Sequence, residues 1–282
     1  MKSNVGASFT VNDASYYVEA EGNGESLVLL HGFTGSSVNW TDHISTFAER
    51  YRLFAIDILG HGRSDAPADP ARYRMENVAR DIVAVLAELK AAPVHLLGYS
   101  MGGRLALYLA ITYSTLVKSL ILESASPGVE TAEERRQRRR QDEQLAKWIE
   151  REGIEAFVQR WEQLPLFASQ QNLPPSVRDN LRRQRRQNTT QGLANSLRGM
   201  GTGAQPSLWS RLPELAMPAL LLAGELDSKF VAIAQQMATR LPAARLTVVP
   251  GAGHTIHLER PALFDQVVLD WLDGQSSVNS EQ

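Results

Sequence analysis

The sequence predicts an α/β fold: a mostly parallel central sheet flanked by helices, with a helical lid inserted between core strands. Three observations carry this. Short apolar runs alternate with segments of helical period over the first 126 residues, the same alternation resumes beyond residue 210, and between 127 and 210 the strand signal disappears. Strands separated by helical crossovers pair in parallel, and the crossovers cover both faces of the sheet.

Along the chain, FTVNDASYYVEAEG (9–22) predicts an antiparallel hairpin at the sheet edge. SLVLLHG (26–32), YRLFAID (51–57), PVHLLGYS (93–100) and SLILESA (119–125) read as buried strands. MENVARDIVAVLAELK (75–90) carries apolar residues at helical spacing, and MGGRLALYLAITY (101–113) predicts a second helix. The pattern returns with PALLLAGELD (218–227) and RLTVVPGAG (245–253), accompanied by helices in VAIAQQMATRL and PALFDQVVLDWL. Residues 1–126 and 211–282 are therefore expected to form the core. Residues 127–210 form the lid, broken at QLPLF, NLPPS and GMGTGAQPS.

Composition narrows the function classes. With 282 residues, 43% hydrophobic and 21% charged, the chain suits one α/β unit carrying an insertion. It has no cysteine, which excludes a disulfide, a thiolate metal site or a cysteine nucleophile and fits a reducing compartment. MKSNVGASFTVND lacks the apolar stretch of a signal peptide, and no apolar run has the length of a membrane span, so a cytoplasmic location is expected. A net charge of −2 gives no reason to expect nucleic acid. No ligand cluster or phosphate loop implies a metal or an organic cofactor, and a monomer is expected.

The chemistry centres on Gly98-Tyr99-Ser100-Met101-Gly102, a G-x-S-x-G motif between a predicted strand and a predicted helix. Small residues permit the sharp turn that raises the serine hydroxyl above the sheet edge. A nucleophilic or basic serine needs a histidine to take its proton and a carboxylate to orient that histidine. Asp227 and His254 occupy loops after later strands, in the order this arrangement requires; Glu225 and His257 are the rivals. Asp227 is preferred because it sits further into its loop, and His254 because it follows the strand-ending glycines. His31, His61, His95 and Asp57 are expected to be structural. The backbone N–H groups of Met101 and of Phe33, in HGFTGS, are positioned to form an oxyanion hole.

The arginines are the second signal. Arg104 lies one helical turn beyond Ser100 and shares its face. Helical spacing groups Arg135, Arg138 and Arg139 on one side of a lid helix and Arg178, Arg182 and Arg185 on another. Between 127 and 210 there are 14 basic against 10 acidic residues, whereas the rest of the chain has 15 against 21. A basic lid over an acidic core suggests a polycarboxylate substrate, gripped by forked guanidinium groups.

With HGFTGS, GYSMGGRLAL, ESASPG, RWEQLPLFAS, GELDSKF and GAGHTIHLERP in place, the chain resembles the α/β-hydrolase superfamily over nearly its whole length. Within it, the chain resembles the 2-succinyl-6-hydroxy-2,4-cyclohexadiene-1-carboxylate synthases of menaquinone biosynthesis. The resemblance implies an α/β-hydrolase fold and a lyase that eliminates pyruvate, with Ser100 as the base of a Ser100–His254–Asp227 triad. It further implies substrate-binding roles for Arg104, Arg138, Arg185, Tyr99, Trp161 and Lys229. One rival is a serine hydrolase of an ester or carbon–carbon bond in an anionic substrate. Another is a non-catalytic ligand receptor on the same fold, which would be expected to have lost triad positions.

Overall fold

The computed structural model describes residues 5–278. Strands β1 (Val5–Val11), β2 (Ala14–Glu21) and β3 (Glu25–Leu30) are followed by α1 (Thr41–Phe47), β4 (Tyr51–Ile56) and α2 (Met75–Glu88). Next come β5 (Val94–Tyr99), α3 (Met101–Thr112) and β6 (Val117–Glu123). The chain then leaves the sheet for α4 (Ala132–Trp161), α5 (Pro175–Arg186) and α6 (Thr190–Met200). It returns through β7 (Ala219–Gly224), α7 (Ser228–Ala238), β8 (Ala244–Val249), α8 (Ile256–Glu259) and α9 (Pro261–Val278).

The strands form one sheet in the order β1-β2-β4-β3-β5-β6-β7-β8. The β1–β2 hairpin and its junction with β4 are antiparallel, and every other pairing is parallel. Residue type explains the order. The central strands β5 and β7 are buried along their whole length, as VHLLGY and ALLLAG require, because helices cover both of their faces. Strand β2 alternates buried and half-buried positions near the edge, and β8 closes the other edge, with Val248 exposed. Two apolar layers sandwich the sheet, one including Val28, Phe54, Ile82 and Leu105, the other Trp40, Phe47, Leu97 and Phe264. A third small cluster, including Ile149, Phe157, Val158 and Leu193, packs α4 onto α6.

Register brings the functional loops together. Leu30 pairs with Gly98, Tyr99 with Glu123, Glu123 with Leu222, and Gly224 with Val249. The chain therefore leaves β3, β5, β6, β7 and β8 along one rim of the sheet. The expected strands overrun this rim: 93–100 ends at Tyr99, 119–125 at Glu123, 218–227 at Gly224 and 245–253 at Val249. Most of the overrun residues are apolar or small and read as strand, Glu225 and Asp227 excepted, but they turn away to build the rim. The short helix α1 has no counterpart among the expected elements, because seven residues hold too little of the helical period. No helix among the described residues is long and apolar enough to cross a membrane.

Candidate active site

The turn at Ser100 is forced by close packing. Ser100 has φ 49° and ψ −104°, a positive-φ conformation that costs energy for a residue with a Cβ. Its N–H is held by the Glu123 carbonyl at 2.8 Å. A Cβ at Gly98 would sit 2.4 Å from the Gly102 carbonyl oxygen, and one at Gly102 would sit 2.2 Å from that of Leu30. The motif thus needs glycine because helix α3 starts directly against the strands.

Ser100 Oγ lies 3.1 Å from His254 Nε2, and His254 Nδ1 lies 2.7 Å from Asp227 Oδ2. A carboxylate only accepts, so Nδ1–H donates to Asp227 and Nε2 is left to accept from the serine. The second carboxylate oxygen of Asp227 caps α7, accepting from Phe230 N–H at 3.3 Å. Both His254 and Asp227 are buried. The rivals have other work: Glu225 accepts from Gly251 N–H at 2.9 Å, and His257 is paired with buried Glu123 at 2.8 Å. His31 Nε2 accepts the Ile58 N–H at 2.9 Å while Nδ1–H donates to the Gly32 carbonyl at 2.7 Å. His95 bridges Ser119 and Glu25, and Asp57 accepts from the N–H groups of Ser37 and Arg63.

Phe33 and Thr34 occupy the centre of a turn closed by Gly35 N–H on the Gly32 carbonyl at 3.0 Å. Met101 opens α3, where backbone N–H groups have no carbonyl from a preceding turn. Phe33 and Met101 both line the wall of a cavity of about 430 Å³ that also contains Ser100 and His254.

Tyr99, Arg104, Arg138, Trp161 and Lys229 line the same cavity. Arg104 donates from Nη1 to the Met200 carbonyl at 2.6 Å and to Gln205 Oε1. Among the described residues no carboxylate forms an ion pair with it. Desolvation, with help from the nearby Arg138 cation, draws its pKa down to about 10, so it stays charged at neutral pH. Arg138 donates to Asp142 at 2.8 Å, and Trp161 packs edge-on against Phe33 at 5.2 Å. Arg185 lies apart. It is buried in an adjoining pocket of about 20 Å³, whose walls Phe33, Tyr99 and Phe167 also line the main cavity. Its guanidinium stands over the Phe167 ring at 5.3 Å, and desolvation lowers its pKa to about 10.

A family model described as alpha/beta hydrolase fold matches residues 25–261. The chain belongs to the α/β-hydrolase fold family. A Bacillus subtilis (strain 168) protein provisionally named 2-succinyl-6-hydroxy-2,4-cyclohexadiene-1-carboxylate synthase is 48% identical over 266 residues, covering 93% of this chain and 97% of that one. A Salmonella paratyphi C (strain RKS4594) protein named as the same synthase is 37% identical over 238 residues, covering 84% and 89%. The structure of MenH from S. aureus superposes with a TM-score of 0.89 at 39% identity, covering 93% of this chain and 98% of that one.

In this α/β-hydrolase family member, the arginines of the insertion divide, among the described residues, into paired and unpaired cations. Arg136, Arg182, Arg186 and Arg198 pair within the insertion, with Glu133, Glu162, Glu155 and the Glu143–Glu150 couple, which leaves its net charge unchanged. Spacing also grouped Arg139 with Arg138, yet Arg139 is exposed beside Arg136 and Arg140 on the outer surface of α4. Three residues apart on a helix is not the same direction as four, and of the arginines at 135–140 only Arg135 and Arg138 are turned partly inward. Sequence reasoning missed Phe167, Phe230, Ser124 and Gln205. Ser124 leaves β6 with φ 49° and faces the cavity, a position that a Glu-Ser-Ala run does not advertise.

Proposed function

We propose that this chain eliminates pyruvate from 2-succinyl-5-enolpyruvyl-6-hydroxy-3-cyclohexene-1-carboxylate to give 2-succinyl-6-hydroxy-2,4-cyclohexadiene-1-carboxylate, a step of menaquinone biosynthesis. Similarity to the named synthases over nearly the whole chain supports the reading. The single structural observation that carries it is Arg104, a cation without a carboxylate partner among the described residues, in the cavity that holds Ser100 and His254.

On this reading Ser100 Oγ takes the proton from ring carbon 2, which is acidified by the succinyl ketone, while its own proton passes to His254 Nε2. Asp227 holds the imidazole tautomer and steadies the imidazolium. The electron pair left on carbon 2 delocalises onto the ketone oxygen, which the Phe33 and Met101 N–H groups receive. Collapse forms the C2–C3 double bond, moves the ring double bond to C4–C5 and breaks the C5–O bond. The departing enolate takes up a proton and becomes pyruvate. Arg104, Arg138 and Lys229 meet the carboxylates in the cavity, and Tyr99 and Trp161 bound the ring. Arg185 takes the remaining carboxylate once the Phe167 ring turns aside with its backbone in place.

Residues 127–210 act as the lid over residues 1–126 and 211–282. The reading requires no cofactor or metal. A monomer in the cytoplasm suffices, because every group named comes from one chain. A coupled assay for pyruvate release tests it. The wild type should turn over the enolpyruvyl substrate, and Ser100→Ala should lower kcat by about three decades or more. Hydrolysis remains the competing reading: an acyl-enzyme trapped at Ser100, with solvent oxygen in the product and no pyruvate released, would replace the lyase assignment.

A further inference from the structure

One hydroxyl joins the neighbour of His254 to the neighbour of Ser100. Thr255 follows His254 directly, and its Oγ1 lies 2.8 Å from the phenol oxygen of Tyr99, which directly precedes Ser100. The same oxygen accepts from Gln170 Nε2 at 2.9 Å, and Gln170 belongs to the 3-10 segment Pro165–Asn172 between α4 and α5. The other end of that amide, Oε1, accepts from Arg185 Nη2 at 3.3 Å. Tyr99, Gln170, Arg185 and Thr255 are all buried.

The direction of this chain is fixed by chemistry. A guanidinium only donates, so Arg185 must face the amide oxygen, and the amide nitrogen must then point at Thr255. Thr255 accepts from Gln170, which leaves its hydroxyl one proton and one lone pair for Tyr99. Beneath it, Glu259 accepts from the N–H groups on either side of His254, Gly253 at 2.6 Å and Thr255 at 3.1 Å. The histidine loop is thus held from below by a carboxylate and from above by the amide of Gln170.

We infer that Gln170 and Thr255 are positioning residues that make the alignment of Ser100 and His254 depend on the placement of the Pro165–Asn172 segment and of Arg185. The inference rests on the proposed Ser100–His254 chemistry. When Pro165–Asn172 moves off the rim, the Gln170 amide leaves Thr255, and both Tyr99 and the loop bearing His254 lose a fixed partner. When Arg185 engages a carboxylate, it stays beside Gln170 and the alignment is retained. Charge recognition in the insertion and proton transfer at the rim are thereby linked through one threonine hydroxyl.

The test uses the full-length protein and pyruvate release from the enolpyruvyl substrate. A wild type that releases no pyruvate would fail the functional reading alone. Given an active wild type, Thr255→Val should lower kcat about ten- to a hundredfold, the scale of a small misplacement of reacting groups, with KM changed far less. Thr255→Ser, which keeps the hydroxyl, should restore kcat to within about threefold of wild type. Gln170→Ala should lower kcat similarly, and the Gln170→Ala/Thr255→Val double variant should be no slower than the slower single one, because both break one chain. A folded Thr255→Val protein with wild-type kcat, a change confined to KM, or additive losses in the double variant would overturn the inference. If Thr255→Val does not fold, Gln170→Ala decides: unchanged kcat overturns it, and a lowered kcat at unchanged KM upholds it.

Discussion

At the scale of single residues, the decisive contrast is between Arg104 and Arg138. Arg138 already shares its charge with Asp142, whereas Arg104 is anchored by uncharged oxygens of Met200 and Gln205. Uncharged anchors orient a guanidinium without neutralising it, so its charge remains available to the cavity. Arg104→Ala should therefore lower kcat/KM for the tricarboxylate by about one to two decades, the equivalent of a charged hydrogen bond of roughly 1.5–3 kcal/mol. Turnover of a small neutral ester by the same variant sets the baseline. An equal loss on both substrates would make Arg104 a packing residue. Helical spacing from Ser100 made Arg104 legible, because a four-residue step on a helix is short and rigid. Arg185 was harder to place, since its direction depends on where α5 lands and on Phe167, which closes the gap between its pocket and the cavity.

At the scale of elements, α4 turns at Gly153, which has φ 82° and ψ 175° inside an otherwise helical run. Residues with a Cβ scarcely populate that region. A Cβ there would meet nothing within 4 Å, so the whole penalty of a substitution is backbone strain. Gly153→Ala should cost about 1–3 kcal/mol of unfolding free energy, measured by urea titration. It should also lower kcat/KM, because the turn aims Phe157 and Trp161 at Phe33. Retention of wild-type stability would mean that the bend is set by packing instead. The helical character of the insertion could be read from composition, but this bend could not, since REGIE gives no break in the helical pattern. The sheet was more legible: every expected strand is present, and apart from the early starts of β1 at Val5 and β6 at Val117 the errors lie at rim-facing ends, where Ser124 and Gly253 leave the ladder.

For the molecule as a whole, two buried histidines set the acid limit. Burial lowers the pKa of His31 from 6.5 to about 4 and that of His61 from 6.5 to about 3, the latter helped by its neighbour His31. Because the unfolded chain binds these protons more readily than the folded one, stability is full above pH 6.5 and falls as pH drops toward 4. His31 alone should cost up to ~3 kcal/mol across that window. Urea midpoints at pH 7 and pH 5 measure it, and His31→Gln should about halve the difference, because His61 contributes equally over that range; an unchanged difference would point to other groups instead. Protonation of His31 also breaks its bond from Ile58 N–H at the start of the turn that carries Phe33, so activity should fade in the same window.

The close packing at Gly98 and Gly102 has an evolutionary consequence. The proton-transfer groups hang on a rim whose tolerances are set by main-chain atoms of neighbouring strands, which no side-chain exchange can relax. Arg138, Trp161 and Arg185 are carried by α4 and α5, helices that lie outside those main-chain contacts. Inheritance can therefore hold the reactive apparatus constant while the preferred molecule drifts. A lineage starting from this chain would diversify first in the insertion and last at the serine.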